Sequence, residues 1–224
     1  MGKTFDAIDD SLRKFVERQH VFFVATAPAG AEGHVNCSPK GLDSLRILGP
    51  RTVAYVDYTG SGAETIAHLR ENGRIVIMLC AFSGPPKIVR FHGCGSVIEP
   101  DHAEFSSLAA HFDIARGVRS IIVVDVDRIS DSCGFSVPVM TFEHERPHLA
   151  AWTDKKSDEA LVEYREKKNA VSIDGLPALR PASHRRSAAL FRDMTADVAK
   201  QLDAKGVTDD EIDRDFAAFK KRQR

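Results

Sequence analysis

The sequence predicts a mainly β protein: a small antiparallel barrel of about six strands, with inserted helices and a charged helical extension at the C-terminus. Three observations predict it. Runs rich in β-branched and aromatic residues recur between residues 21 and 129. Most are joined by short Gly- and Pro-bearing connections. Helical periodicity interrupts them only once or twice, whereas a doubly wound sheet would alternate strand and helix throughout.

Taken in order, residues 5–19 predict an amphipathic helix with Phe5, Ile8, Leu12, Phe15 and Val16 on its apolar face. Val21-Phe-Phe-Val-Ala-Thr26 reads as a strand without alternation, covered on both faces. His34-Val-Asn-Cys-Ser38 returns as a second strand, after a loop at 27–33. Leu45-Arg-Ile-Leu48 is brief and is broken by Gly49-Pro50. Val53 to Tyr58 is a strand, Thr59-Gly-Ser-Gly62 a turn, and Ile66 and Leu69 continue at helical spacing to an Asn72-Gly73 stop. Residues 74–82 and 87–98 form two more strands, with Gly93 and Gly95 marking a bulge or a corner. A short helix over 101–113 precedes a last strand over 120–129. Residues 133–142 read as extended and 157–168 as a helix. From 180 to 224 the chain is charged and helical, with a capping box at Thr208-Asp-Asp-Glu211.

Charge and composition exclude several classes. Lys and Arg (31) balance Asp and Glu (32), which gives no electrostatic case for nucleic acid. The longest apolar runs are too short to span a bilayer, and no secretory h-region is visible. Cys37, Cys80, Cys94 and Cys133 form no CxxC pair and read as reduced core residues of a cytoplasmic protein. No GxxxxGK[ST] or GxGxxG occurs, so P-loop and Rossmann chemistry are not expected. His144-Glu-Arg-Pro-His148 spells the zinc pattern H-E-x-x-H, but Pro147 would clash inside the required helix, so a loop or hairpin is expected. Trp152, the single tryptophan, is expected in the core.

The turn at 59–62 is the chemically suggestive stretch. A helix start after a Gly-rich turn directs unsatisfied N–H groups and the positive dipole end at one spot, a natural seat for phosphate. Ser61-Gly-Ala-Glu64 also spells a capping box, which would satisfy those donors internally; spacing leaves both readings open. Ser38 and Lys40, at a strand end, offer a hydroxyl and a cation. Asp57, a carboxylate inside a strand pattern, must be paired or functional.

Phe23-Val-Ala-Thr26, Val35-Asn-Cys-Ser-Pro-Lys-Gly41 and Ala54-Tyr-Val-Asp-Tyr-Thr-Gly-Ser-Gly-Ala-Glu-Thr-Ile-Ala-His-Leu69 resemble, in order and spacing, the pyridoxamine 5'-phosphate oxidase-related flavoproteins. The resemblance covers about residues 5 to 130 and continues through Cys133 to Pro138 and Asn169 to Pro177. It implies a six-stranded antiparallel split β-barrel over residues 1–179 that binds FMN at a homodimer interface, with 180–224 as an extension. It places Asn36, Ser38 and Lys40 along the flavin, and Asp57, Tyr58, Thr59, Gly60, Ser61 and Thr65 at the phosphate, with Arg90 from a later strand beside them. Glu64-Thr65 stands where true pyridoxamine phosphate oxidases carry an Arg-Lys pair, and their C-terminal His and Arg motif is not evident. The resemblance therefore implies an FMN-dependent oxidoreductase of another small-molecule substrate or electron donor. A flavin carrier or sensor recruiting a partner through the C-terminal helices is the second reading. A flavin-free binding domain, which Glu64 favours, is the third.

Overall fold

The computed structural model describes residues 2–181. The charged helical extension expected from residue 180 lies, from 182 onward, outside the described residues. The fold is mainly β: eight strands in one antiparallel sheet, with five helices among the described residues. No helix among these residues is long and apolar enough to cross a membrane.

The strands are β1 (Thr4–Phe5), β2 (Phe22–Thr26), β3 (Asn36–Lys40), β4 (Leu45–Gly49), β5 (Thr52–Tyr58), β6 (Arg74–Cys80), β7 (Ile88–Ile98) and β8 (Val118–Ser132). Hydrogen bonding orders them β3-β2-β6-β7-β8-β5-β4, with β1 also on β8; β3 and β4 stand at the two ends of this order. The count exceeds the six expected because the brief 45–48 run pairs with β5, and because Phe5 pairs with Ile129 instead of opening a helix. Helix α1 is correspondingly short (Asp10–Val16), and Asp9 caps it by accepting the Leu12 amide at 2.7 Å. Its Leu12, Phe15 and Val16 enter the main core with Phe22, Val24, Tyr55, Ile77, Phe91 and Ile122.

Strand β2 is not covered evenly on both faces. Phe22, Val24 and Thr26 are buried while Phe23 and Ala25 are half-buried, the period-2 alternation of a strand with one core face. Gly93 lies at a bulge between β7 and β8, where a Cβ would come within 2.0 Å of the Asp125 carbonyl oxygen. Helix α2 (Glu64–Asn72) ends on Gly73 at φ 71°, the left-handed stop expected from Asn-Gly. The helix expected over 101–113 shrinks to α3 (Phe105–Ala109).

Past β8, residues 133–142 carry no regular structure. Helix α4 (His148–Asp154) begins directly after Pro147, leaving His144 outside it, so the two histidines of H-E-x-x-H do not share a helix face. Helix α5 (Asp158–Lys168) is capped by Ser157, which accepts from the Ala160 amide at 3.2 Å. Trp152 is half-buried rather than a core anchor, packed edge-on against Tyr164 at 5.0 Å. All four cysteines are free, but only Cys80 is buried; Cys37, Cys94 and Cys133 are exposed, contrary to their reading as core residues. They sit on strand positions and loops whose side chains face outward, a direction composition alone does not report.

Candidate functional site

The period of two places Asn36, Ser38 and Lys40 on one face of β3. Each is tied inward. The Asn36 amide donates to Thr65 Oγ1 at 3.0 Å, Ser38 Oγ donates to Asn36 Oδ1 at 3.2 Å, and Lys40 Nζ reaches Asp57 Oδ1 at 2.9 Å. This line of bonds joins the β3 face to the start of α2 and the end of β5. Between them lies a recess of about 380 Å³ lined by Tyr58, the 60–62 turn, Glu64, Thr65 and Arg119 as well as the β3 residues.

Asp57 anchors the recess from below. It is 1% exposed, and a carboxylate so buried must be paired. Arg119 Nε donates to its second oxygen at 2.7 Å, while Arg119 Nη1 donates to the Gly62 carbonyl at 2.7 Å. Burial pushes the Asp57 carboxyl upward, but the Arg119 guanidinium and Lys40 ammonium, with their hydrogen bonds, outweigh it and hold the group at about 2. A β-bulge makes this possible. Asp57 pairs with Ser120 and Tyr58 with Val118, so Arg119 is the extra residue of β8, turned out of the ladder toward Asp57.

The turn after β5 is held from behind. Thr59 Oγ1 donates to the Gly117 carbonyl at 2.7 Å and accepts from Arg165 Nε at 2.8 Å. The Asn169 amide donates to the Gly60 carbonyl at 2.9 Å. Asn169 is fully buried, and its Oδ1 has no hydrogen-bond partner. Thr59 is thus a strut of the turn rather than a wall of the recess.

The capping box spelled by Ser61 and Glu64 does not form. The N-cap of α2 is Ala63, which offers no side-chain acceptor, so the first-turn amides are left uncapped toward the recess. Ser61 is exposed and lines the recess. Glu64 bends back over the turn: a Cβ on Gly62 would lie 2.3 Å from its Oε2, the mobile end of that side chain. The recess therefore gathers two cations, Lys40 and Arg119, and two carboxylates, Asp57 beneath and Glu64 at the wall.

Of the residues singled out in the sequence, Asn36, Ser38, Lys40, Tyr58, Gly60, Ser61 and Thr65 line one recess, with Asp57 and Thr59 supporting it. Arg90 is elsewhere: it is not among the lining residues, and its Nη1 donates to Ser132 Oγ at 3.0 Å on β8. Sequence reasoning missed Arg119, Arg165 and Asn169. Arg119 had one legible signal: Asp57, a carboxylate inside a strand pattern, requires a counter-charge, and Arg119 stands at the start of another apolar strand. Asn169 opens a stretch that resembles the family but gave no sign of its role, and Arg165 carried no signal, because helix α5 gives no sequence sign of which turn it backs.

The donor set is that of an anion seat: an ammonium, a guanidinium, hydroxyls on Ser38, Ser61 and Thr65, and an uncapped helix start. Asp57 neutralises part of that charge and Glu64 opposes it.

The family model described as pyridoxamine 5'-phosphate oxidase matches residues 8–133. The chain is 39% identical over 195 residues to the pyridoxamine 5'-phosphate oxidase family protein ustO of Aspergillus flavus, covering 80% of this chain and 78% of that one. Similar solved structures include the H111A variant of HupZ from Group A Streptococcus, at 22% identity and a TM-score of 0.46, covering 56% of this chain and 99% of that one. The FAD-binding protein of Mycobacterium smegmatis gives 11% identity and a TM-score of 0.42, covering 58% and 96%. An FMN-binding protein of Syntrophomonas wolfei gives 16% identity and a TM-score of 0.39, covering 58% and 82%. The family match runs from the residues before α1 to the end of β8 and so takes in β3, β5, α2 and Arg119, every element that walls the recess; the chain belongs to the pyridoxamine 5'-phosphate oxidase family.

Proposed function

We propose that the chain is an FMN-binding oxidoreductase of this family acting on a substrate other than pyridoxamine phosphate. One observation carries the reading: the inward face of β3, the Asp57-braced cations and the uncapped start of α2 converge on a single recess. Ser61, Thr65 and the first-turn amides would hold the cofactor phosphate, with Arg119 behind the turn, and Asn36, Ser38 and Lys40 would hold the flavin. When bound, the flavin accepts two electrons and a proton from a donor and passes them on. The chain's own residues bind and orient. Asp57 fixes Lys40 and Arg119, Thr59 and Asn169 hold the turn, and Glu64 would have to turn away for the phosphate to enter.

Glu64-Thr65, in place of the Arg-Lys pair, weakens the phosphate seat relative to true pyridoxamine phosphate oxidases, and together with the C-terminal His and Arg motif that is not evident in the sequence it argues against that substrate. The split-barrel closure and a homodimer with FMN at its interface belong to this reading. The end strand β3 and its exposed neighbour Val35 (75% exposed) support a second copy pairing on this side. Residues 1–179 form the cofactor-binding part. Four free cysteines, three of them exposed, suit a reducing compartment such as the cytoplasm.

The test is to denature the purified chain and identify the released chromophore by mass, before and after incubation with FMN. Release of FMN supports the reading. No flavin in the supernatant, even after incubation, overturns it and leaves the flavin-free binding domain. A bound flavin that no physiological donor, nicotinamide or otherwise, reduces in stopped flow favours a carrier over an enzyme.

A further inference from the structure

A second, larger cavity of about 1060 Å³ adjoins the recess, and Pro39 and Lys40 line both. One wall is the β2–β3 side, with Val21, Phe23 and Pro39. The other is the segment 139–149, irregular up to Pro147 and entering α4 at His148, which lies wholly beyond the family match ending at residue 133. That segment is seated at several points. The Met140 amide donates to the Phe82 carbonyl at 2.8 Å, and the Phe142 ring stacks on His20 with centroids 3.7 Å apart and planes 6° apart. Yet Val139, Met140 and Phe142 remain 83%, 57% and 45% exposed, apolar surface turned to a cavity rather than packed away.

The charged groups around it are unbalanced. Arg18, Lys40 and Arg146 face it with Glu145 as the single carboxylate among the lining residues, and the imidazoles of His20, His144 and His148 add polar groups. Lys40 is already held by Asp57, which leaves Arg18 and Arg146 against Glu145. Apolar walls with a few convergent polar groups are the usual make-up of a small-molecule chamber, and the volume matches the upper end of such sites.

We propose that this cavity is the substrate chamber and that it takes a flat, largely apolar molecule bearing a carboxylate or similar anion. The inference rests on the flavin reading, because Lys40 joins the chamber to the recess where the ring would lie. The family-matched part of the chain holds the cofactor; segment 139–149 selects what reaches it.

The probe is 8-anilino-1-naphthalenesulfonate, an aromatic anion, titrated by fluorescence into the full chain and compared with its uncharged relative N-phenyl-1-naphthylamine. FMN titration and sedimentation run in parallel. The expected result is saturable binding of one sulfonate probe per chain, at least about tenfold tighter than the uncharged one. Phe142→Ser and Arg146→Ala, both at exposed positions, should each weaken it about fivefold or more without altering FMN affinity or the sedimentation coefficient. In the FMN-loaded chain the probe should shift the flavin absorbance band. Unchanged probe binding in both variants, equal binding of the uncharged probe, or an unmoved flavin band overturns the chamber. So does a fall in sedimentation coefficient for Phe142→Ser, which makes the cavity an interface between copies. Failure of FMN to bind the unmodified chain refutes the flavin reading by a separate measurement, and with it the term substrate.

Discussion

Asp57→Asn tests the electrostatic base of the site. The substitution keeps the side-chain shape but removes the charge that holds Lys40 at 2.9 Å and Arg119 at 2.7 Å. Asp57 is 1% and Arg119 5% exposed, so water cannot replace the lost partner, and breaking a buried pair from one side costs about 3–5 kcal/mol. The depressed acidity of the carboxyl gives a second figure. Arg119 and Lys40 hold it at about 2 against an ordinary 3.8, which corresponds to about 2 kcal/mol. We expect a loss of about 2–5 kcal/mol near neutral pH, read by urea denaturation followed by circular dichroism. The folded value lies below the unfolded one, so the stabilisation is present above 3.8 and is lost as pH falls through about 2. The gap between wild type and variant should therefore narrow across that window. A loss under about 1 kcal/mol at neutral pH, or a gap independent of pH, refutes the reasoning.

Lys40→Ala and Thr65→Ala should each weaken FMN binding by about 1–3 kcal/mol, the scale of a charge-assisted or buried hydrogen bond; unchanged fluorescence-quench titrations in both would move the cofactor elsewhere. Glu64→Gln should strengthen FMN binding several-fold by removing a carboxylate from the recess wall. It should also cost about 0.3–1 kcal/mol of stability, because Glu64 lies in the first turn of α2. Isothermal titration and thermal melts read the two effects, and weaker binding would mean that Glu64 contacts the ligand favourably. Gly73→Ala should lower the melting temperature through a cost of at least about 1 kcal/mol, since φ is 71° and the new Cβ would lie 2.5 Å from Cys94 Sγ. An unshifted melt would show that α2 ends differently in solution.

The strands with the densest β-branched and aromatic runs were legible because local composition and period report a pleated, half-buried backbone. Thr4–Phe5 and Leu45–Gly49 were not: two and five residues carry too little local signal, and their pairing to β8 and β5 creates the strand. The outward turn of Cys37 and the alternating burial of β2 follow from which face the core occupies, not from residue type. Ser61 and Glu64 spelled a capping box by letters, but Ala63 became the N-cap and Glu64 folded over Gly62. Nearby Arg119 occupies the Gly62 carbonyl, one of the bonds that shape this turn.

The mainly β class and the glycine turn before α2 were readable from the chain alone, because each depends on neighbours a few positions away. That residues of β3 share a site with β5 and α2 came from the family resemblance, since the pairs that join them lie 17 and 29 positions apart. Tertiary structure alone decided the rest. A bulge 62 positions along the chain aims Arg119 at Asp57, Arg165 and Asn169 brace the turn from more than 100 positions away, and Arg90 points to β8 instead. The physical reason is the same in each case. A buried charge or turn must find partners wherever the fold brings donors within about 3 Å, and that proximity is a property of strand register and bulges, not of sequence distance.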